Sequence, residues 1–122
     1  MLLDKTLFED FGRGDNGAMS IVDRLVSDEI SGYVSTHTIF SLWNEETTTR
    51  RTEIVFQSII NLTEIVMLSA KAAKDAAIQS NINSELDHDI LLLGSIAKEM
   101  GVPICTRRVD EFQLIFDEIV EY

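Results

Sequence analysis

The side chains best suited to chemistry in this sequence follow short apolar segments. Asp4 comes directly after Leu2 and Leu3, and the polar run Thr106-Arg107-Arg108 follows the apolar segment 102–105. If such segments are parallel β-strands, their carboxyl ends meet at one edge of a sheet, where open α/β sheets hold their reactive groups. The sequence therefore predicts a polar edge that combines at least one carboxylate with two arginines.

Two other reactive side chains are interpreted as structural. His37 follows a predicted strand, but no nucleophile or carboxylate stands at a defined spacing from it, so we expect a capping or surface histidine rather than a base. Cys105 lies in an apolar segment with no histidine or second cysteine nearby, which is typical of a small core residue.

The apolar pattern predicts short buried strands that alternate with helices. Strands are predicted at 2–3, 32–34, 65–68, 102–106 and 119–120, with a turn-rich loop at 12–17. Helices are predicted at 18–30, from Ser35 or Thr36 onwards, and at 47–61, 69–78, 84–101 and 109–116. Strands separated by helices favour right-handed βαβ units. We therefore predict a three-layer α/β/α sandwich with a mainly parallel central sheet, formed by residues 1–122 as one domain.

Charge and cysteine content limit the classes of function. Ten Lys and Arg against 21 Asp and Glu give a formal net charge of -11, which repels phosphate backbones and favours cations or basic partners. Non-specific nucleic-acid binding by a basic surface is excluded. The chain lacks a long apolar run and has one cysteine, so we expect a cytoplasmic protein with no export signal and no membrane contact.

Three stretches resemble the PIN-domain family. Residues 2–7 (LLDKTL) resemble its opening strand, whose usual form is apolar, apolar, Asp, Thr, Asn, apolar. Residues 33–42 (YVSTHTIFSL) are similar to its second strand and the following helix, with Ser41 where a glutamate is usual. Residues 97–108 (AKEMGVPICTRR) resemble its final helix, strand and Thr-containing turn. By the order of its elements, the resemblance spans nearly the whole chain.

The resemblance implies a divalent-metal ribonuclease, a family that includes VapC-type toxins. In such proteins three or four carboxylates at the carboxyl edge of the sheet bind Mg²⁺ or Mn²⁺, which are hard cations that prefer oxygen ligands and activate water. Asp4 corresponds to the first of these carboxylates, and Asp89 is the best match for another. We predict Asp4 and Asp89 as catalytic metal-site residues, with Glu45 and Asp110 as further metal ligands.

The helix register leaves the acidic set open. Asp89 lies one residue farther from Gly101 than the family's pattern, and one residue on a helix turns a side chain by about 100°. Asp87 and His88 compete for the same place, and a solvated first helical turn is the alternative reading of all three. Glu45 would lie one turn after Ser41 on the same helix, or else be an exposed acid.

The final turn departs most from the family. Arg108 stands where the last acidic ligand is usual, two residues after Thr106, and an arginine there repels a cation. It is instead suited to bidentate phosphate binding. We predict that Thr106, Arg107 and Arg108 bind the RNA substrate.

Two hypotheses of function follow. The first is a Mg²⁺- or Mn²⁺-dependent endoribonuclease that cleaves single-stranded RNA, as a toxin with an antitoxin partner. The second, motivated by Ser41 and Arg108, is a catalytically inactive PIN-like module that binds a basic protein or RNA. An exposed Trp43 beside Leu42, near Phe40, would indicate a homodimer or partner surface in either case.

Overall fold

Residues 1–46 and 48–122 are described by a computed structural model, in which five short strands form one sheet. The strands are β1 (Leu2–Leu3), β2 (Tyr33–Ser35), β3 (Glu64–Val66), β4 (Ile104–Cys105) and β5 (Ile119–Val120). Their spatial order is β3-β2-β1-β4-β5, and all four pairings are parallel. The predicted α/β class with a parallel central sheet is confirmed.

Helices connect the strands. They are α1 (Lys5–Gly12), α2 (Asn16–Val26), α3 (Thr36–Trp43), α4 (Arg50–Ile60), α5 (Ala70–Ile82), α6 (His88–Met100) and α7 (Val109–Gln113). Side chains of Asp15, Ser35, Thr49 and Ser69 cap α2, α3, α4 and α5 by accepting the backbone N–H three residues on. Gly101 ends α6 in the left-handed conformation, with φ 68°, as its position predicts. Across residues 1–46 and 48–122, every helix is too short or too polar to span a membrane.

Two hydrophobic cores lie on opposite faces of the sheet. Successive side chains of a strand point to opposite faces of the sheet, so the two buried residues of β1, and likewise those of β4, enter different cores. Leu3 and Cys105 join the core beneath α1, α2 and α4, whereas Leu2 and Ile104 join the core beneath α5, α6 and α7. This arrangement gives the three layers that the sequence predicts.

The structure adds one helix and corrects the boundaries of four others. Helix α1 was not predicted, because Lys5 and Thr6 were read as part of the opening strand motif. The predicted helix 84–101 begins instead at His88, because Asp87 rather than Ser84 holds the N-cap position. Helix α2 begins two residues before and ends four residues before its predicted bounds, and α5 continues to Ile82. The predicted helix 47–61 begins at Arg50, and its first residue, Thr47, lies outside the described residues.

Candidate functional site

Asp4 lies where β1 passes directly into α1. Its backbone is extended, with φ -81° and ψ 156°, and its Oδ1 accepts the N–H of Lys5 at 2.8 Å. The aspartate therefore caps α1, a position at which a carboxylate is favoured by the free N–H groups of the helix. The residue is 1% exposed, so its charge needs partners within the protein.

Hydroxyl groups supply two of those partners. Thr106 follows β4, the strand paired with β1, and its Oγ1 donates to Asp4 Oδ2 at 2.6 Å. Thr6 Oγ1 donates to the same oxygen at 3.2 Å. Because β1 and β4 are parallel, their carboxyl ends deliver Asp4 and Thr106 to one edge of the sheet, as the sequence predicts.

The guanidinium of Arg108 lies between Asp4 and Asp89. Its Nε donates to Asp4 Oδ2 at 2.9 Å and its Nη2 to Asp4 Oδ1 at 2.6 Å, a bidentate pair. Its Nη1 forms an ion pair with Asp89 Oδ2 at 2.9 Å. The group also lies 5.5 Å from the ring centre of Phe112. One cation thus joins two carboxylates that are 85 residues apart in sequence, at positions 4 and 89. We call Asp4, Asp89 and Arg108 the Arg108 cluster.

The charges of this cluster are balanced and mostly shielded from water. The side chains of Arg108, Asp4 and Asp89 are 14%, 2% and 17% exposed. Lys5 Nζ lies 3.8 Å from Asp89 Oδ2, so two cations face two carboxylates. Burial acts to lower the pKa of Arg108, but the hydrogen bonds that it donates to Asp4 and the negative charges of both aspartates outweigh this effect, and its pKa lies above the ordinary value. The guanidinium is therefore permanently charged.

The structure brings together two of the four predicted metal ligands. Asp4 and Asp89 share one guanidinium, whereas Glu45 and Asp110 do not join them in a group of three possible ligands among the described residues. Helix α3 ends at Trp43 with Asn44 as its C-cap, so Glu45 does not lie one turn after Ser41 on that helix. Its side chain is exposed beside α4. Asp110 is exposed in the first turn of α7.

These residues do not fit a bound Mg²⁺ or Mn²⁺. Asp4 already accepts five hydrogen bonds, and the cleft that Asp4 and Asp89 line holds no volume into which a water molecule fits. Within residues 1–46 and 48–122, no three acidic, histidine or cysteine side chains converge as ligands. A hard divalent cation requires several such oxygens and usually retains water molecules. Here the guanidinium supplies the positive charge between the two carboxylates.

The side chains predicted to bind substrate are all bonded within the protein. Thr106 is buried against Asp4, and Arg108 lies between two aspartates. Arg107 Nη2 donates to Asp15 Oδ2 at 2.7 Å, and its guanidinium lies 4.3 Å from the ring centre of Tyr122. Asp10 Oδ2 lies 3.5 Å from Arg107 Nε. We call Arg107, Asp10, Asp15 and Tyr122 the Arg107 cluster.

Ser41 and His37 are among the polar residues that line the closed cleft without joining its ion pairs. Ser41 occupies the position of the family's glutamate and is half-buried there. His37 also faces the cleft, and its Nε2 is buried without a hydrogen-bond partner in the described part of the chain. The ion pair of Lys5 with Asp89 is not predicted from the sequence. The signal that could have indicated it is the charge of Lys5, at a position where the PIN-domain family usually has a neutral threonine.

Cys105 and Trp43 have structural surroundings. Cys105 is buried in the core, and burial raises the pKa of its thiol to about 12, so the reactive thiolate is absent at neutral pH. The ring of Trp43 packs edge-on against Phe56 at 5.9 Å, and its Nε1 donates to Glu53 at 3.2 Å. The exposed aromatic residue on α3 is instead Phe40, which is 64% exposed.

Comparison with known proteins identifies the fold. Neither a protein-family model nor a curated protein matches the sequence. Solved structures do match. A toxin-antitoxin complex from Klebsiella pneumoniae aligns with a TM-score of 0.76 and 14% identity, over 98% of this chain and 94% of that one. VapBC2 from Rickettsia felis, bound to a DNA fragment from its promoter, aligns with a TM-score of 0.76 and 14% identity, over 99% of this chain and 96% of that one. FitAcB from Neisseria gonorrhoeae aligns with a TM-score of 0.73 and 18% identity, over 99% of this chain and 95% of that one. The protein therefore has the PIN-like α/β fold of these toxin-antitoxin structures.

Proposed function

We propose that this protein is a non-catalytic PIN-fold module that acts by binding another protein. The observation that carries the proposal is the Arg108 guanidinium, which bonds to both Asp4 and Asp89. The carboxylates that would have to hold a catalytic metal ion are already paired with the positive charge of an arginine side chain. With no volume left for water in the cleft, neither a metal ion nor an attacking water has a place beside them.

The energetics favour retention of this arrangement. Admitting a divalent cation requires that Arg108 break a bidentate pair with Asp4 and a third contact with Asp89. Removing one member of a buried ion pair typically destabilises a protein by about 3–5 kcal/mol. An arginine that left the cleft would also place its positive charge close to any bound metal. The resident cation therefore competes strongly with Mg²⁺ or Mn²⁺.

A basic protein is the partner that the charge of the chain supports. Its formal net charge of -11 attracts cationic surfaces and repels RNA phosphates. Two of the structures that the chain resembles are a toxin-antitoxin complex and VapBC2 bound to a fragment of promoter DNA. This similarity supports a partner of the antitoxin type. The homodimer remains a prediction; Trp43, whose exposure would have indicated it, packs against Phe56 instead, and Phe40 is the exposed aromatic residue of α3.

A Mn²⁺- or Mg²⁺-dependent endoribonuclease is the second candidate. Asp4 and Asp89 favour it because their carboxylates converge at the carboxyl edge of the sheet, where the resemblance places metal ligands. For this activity, Arg108 would have to leave the cleft when RNA and metal bind.

Incubation of the protein with labelled single-stranded RNA and Mn²⁺ separates the two functions. We expect no cleavage above that of an Asp4→Asn variant prepared in parallel, because the wild-type cleft excludes metal. Asp4→Asn keeps an oxygen that can cap α1 but removes the charge that any metal site would need. Cleavage by the wild-type protein that disappears in Asp4→Asn would replace our proposal with the ribonuclease.

A further inference from the structure

We draw no further inference here: the strongest candidate, the apolar surface patch at the β3 edge of the sheet, where Leu62, Ile65, Met67 and Leu68 are exposed, carries nothing because nothing in the described part of the structure shows what covers it.

Discussion

Arg107 and Arg108 are consecutive, and each binds two aspartates, yet their surroundings differ. Arg108 is 14% exposed and reaches beneath the edge of the sheet to Asp4 and Asp89. Arg107 is 41% exposed and pairs at the surface with Asp10 and Asp15. Side chains of adjacent residues can point to opposite sides of an extended chain, and here one enters the protein while its neighbour remains in water.

The comparison teaches that burial, rather than the number of ion pairs, sets the importance of each cluster. Exposed ion pairs contribute about 0–1 kcal/mol, because water and salt screen them. A buried charge that loses its partner is far more costly. We therefore expect the Arg108 cluster to control both stability and metal exclusion, and the Arg107 cluster mainly to fix the ends of α1 and α2 near Tyr122.

The largest effect is expected for Arg108→Asp, which sets three carboxylates against one another. Unfolding in urea without metal should show a loss of more than about 3–5 kcal/mol, because the substitution removes a buried cation and adds a like charge. Mn²⁺ should recover part of this loss in the variant and change the wild-type stability little, since only the variant has three acidic ligands. Equal effects of Mn²⁺ on the two proteins would contradict our account of Arg108.

A direct comparison of the clusters uses the uncharged variants Arg108→Met and Arg107→Met. We expect Arg108→Met to lose about 3–5 kcal/mol and Arg107→Met no more than about 1 kcal/mol in the same urea experiment. Methionine retains apolar length in both, so the difference reports the lost charge. Similar losses at the two positions would show that burial does not separate the clusters.

The smallest effects on stability are expected for two acidic residues, Asp15, which pairs with Arg107, and Glu9, which forms no ion pair among the described residues. Hydrogen bonding from the Ala18 N–H lowers the pKa of Asp15 below its ordinary value, despite opposition from desolvation, and Arg107 lowers it further. Its contribution to stability is present above pH 3.8 and is lost as pH falls through its native pKa. Asp15→Asn should therefore cost more stability at pH 7 than in strong acid.

Glu9 should behave in the opposite way. Its pKa is raised from 4.5 by burial, so the native state holds the proton more tightly than the unfolded state. Its contribution to stability is greatest below pH 4.5 and falls as pH rises through the native pKa. Glu9→Gln should thus gain stability relative to wild type as pH rises, by less than about 0.5 kcal/mol because solvent screens the half-exposed group. Both variants are unfolded in urea at a series of pH values. If their stabilities relative to wild type changed in the same direction as pH rises, the contrast between Asp15 and Glu9 would be refuted.

Much of the fold was predictable because its strands are short, buried and separated by helical patterns. The positions of all five strands and the C-terminal glycine of α6 follow from apolar runs and punctuation residues. Helix α1 was missed, although Leu7, Phe8 and Phe11 recur at helical spacing after a capping Asp4. That pattern is the signal that could have identified it.

The candidate site was less predictable than the fold. The sequence indicated that Asp4 and Thr106 share the carboxyl edge, and that Arg108 would oppose a cation. It suggested phosphate as the partner of Arg108, because the paths of the Arg108 and Asp89 side chains depend on tertiary packing that no local pattern records. The absence of Glu45 from the cluster followed from a helix that ends at Trp43, and helix ends are the least certain feature of such patterns.

Calorimetric titration of Mn²⁺ into the wild-type protein is the most direct test of the claim that Arg108 takes the place of a catalytic metal. We predict no saturable binding at millimolar Mn²⁺, because the carboxylates of Asp4 and Asp89 are already bonded to the guanidinium. Saturable binding with one ion per chain, abolished by Asp4→Asn, would contradict that claim.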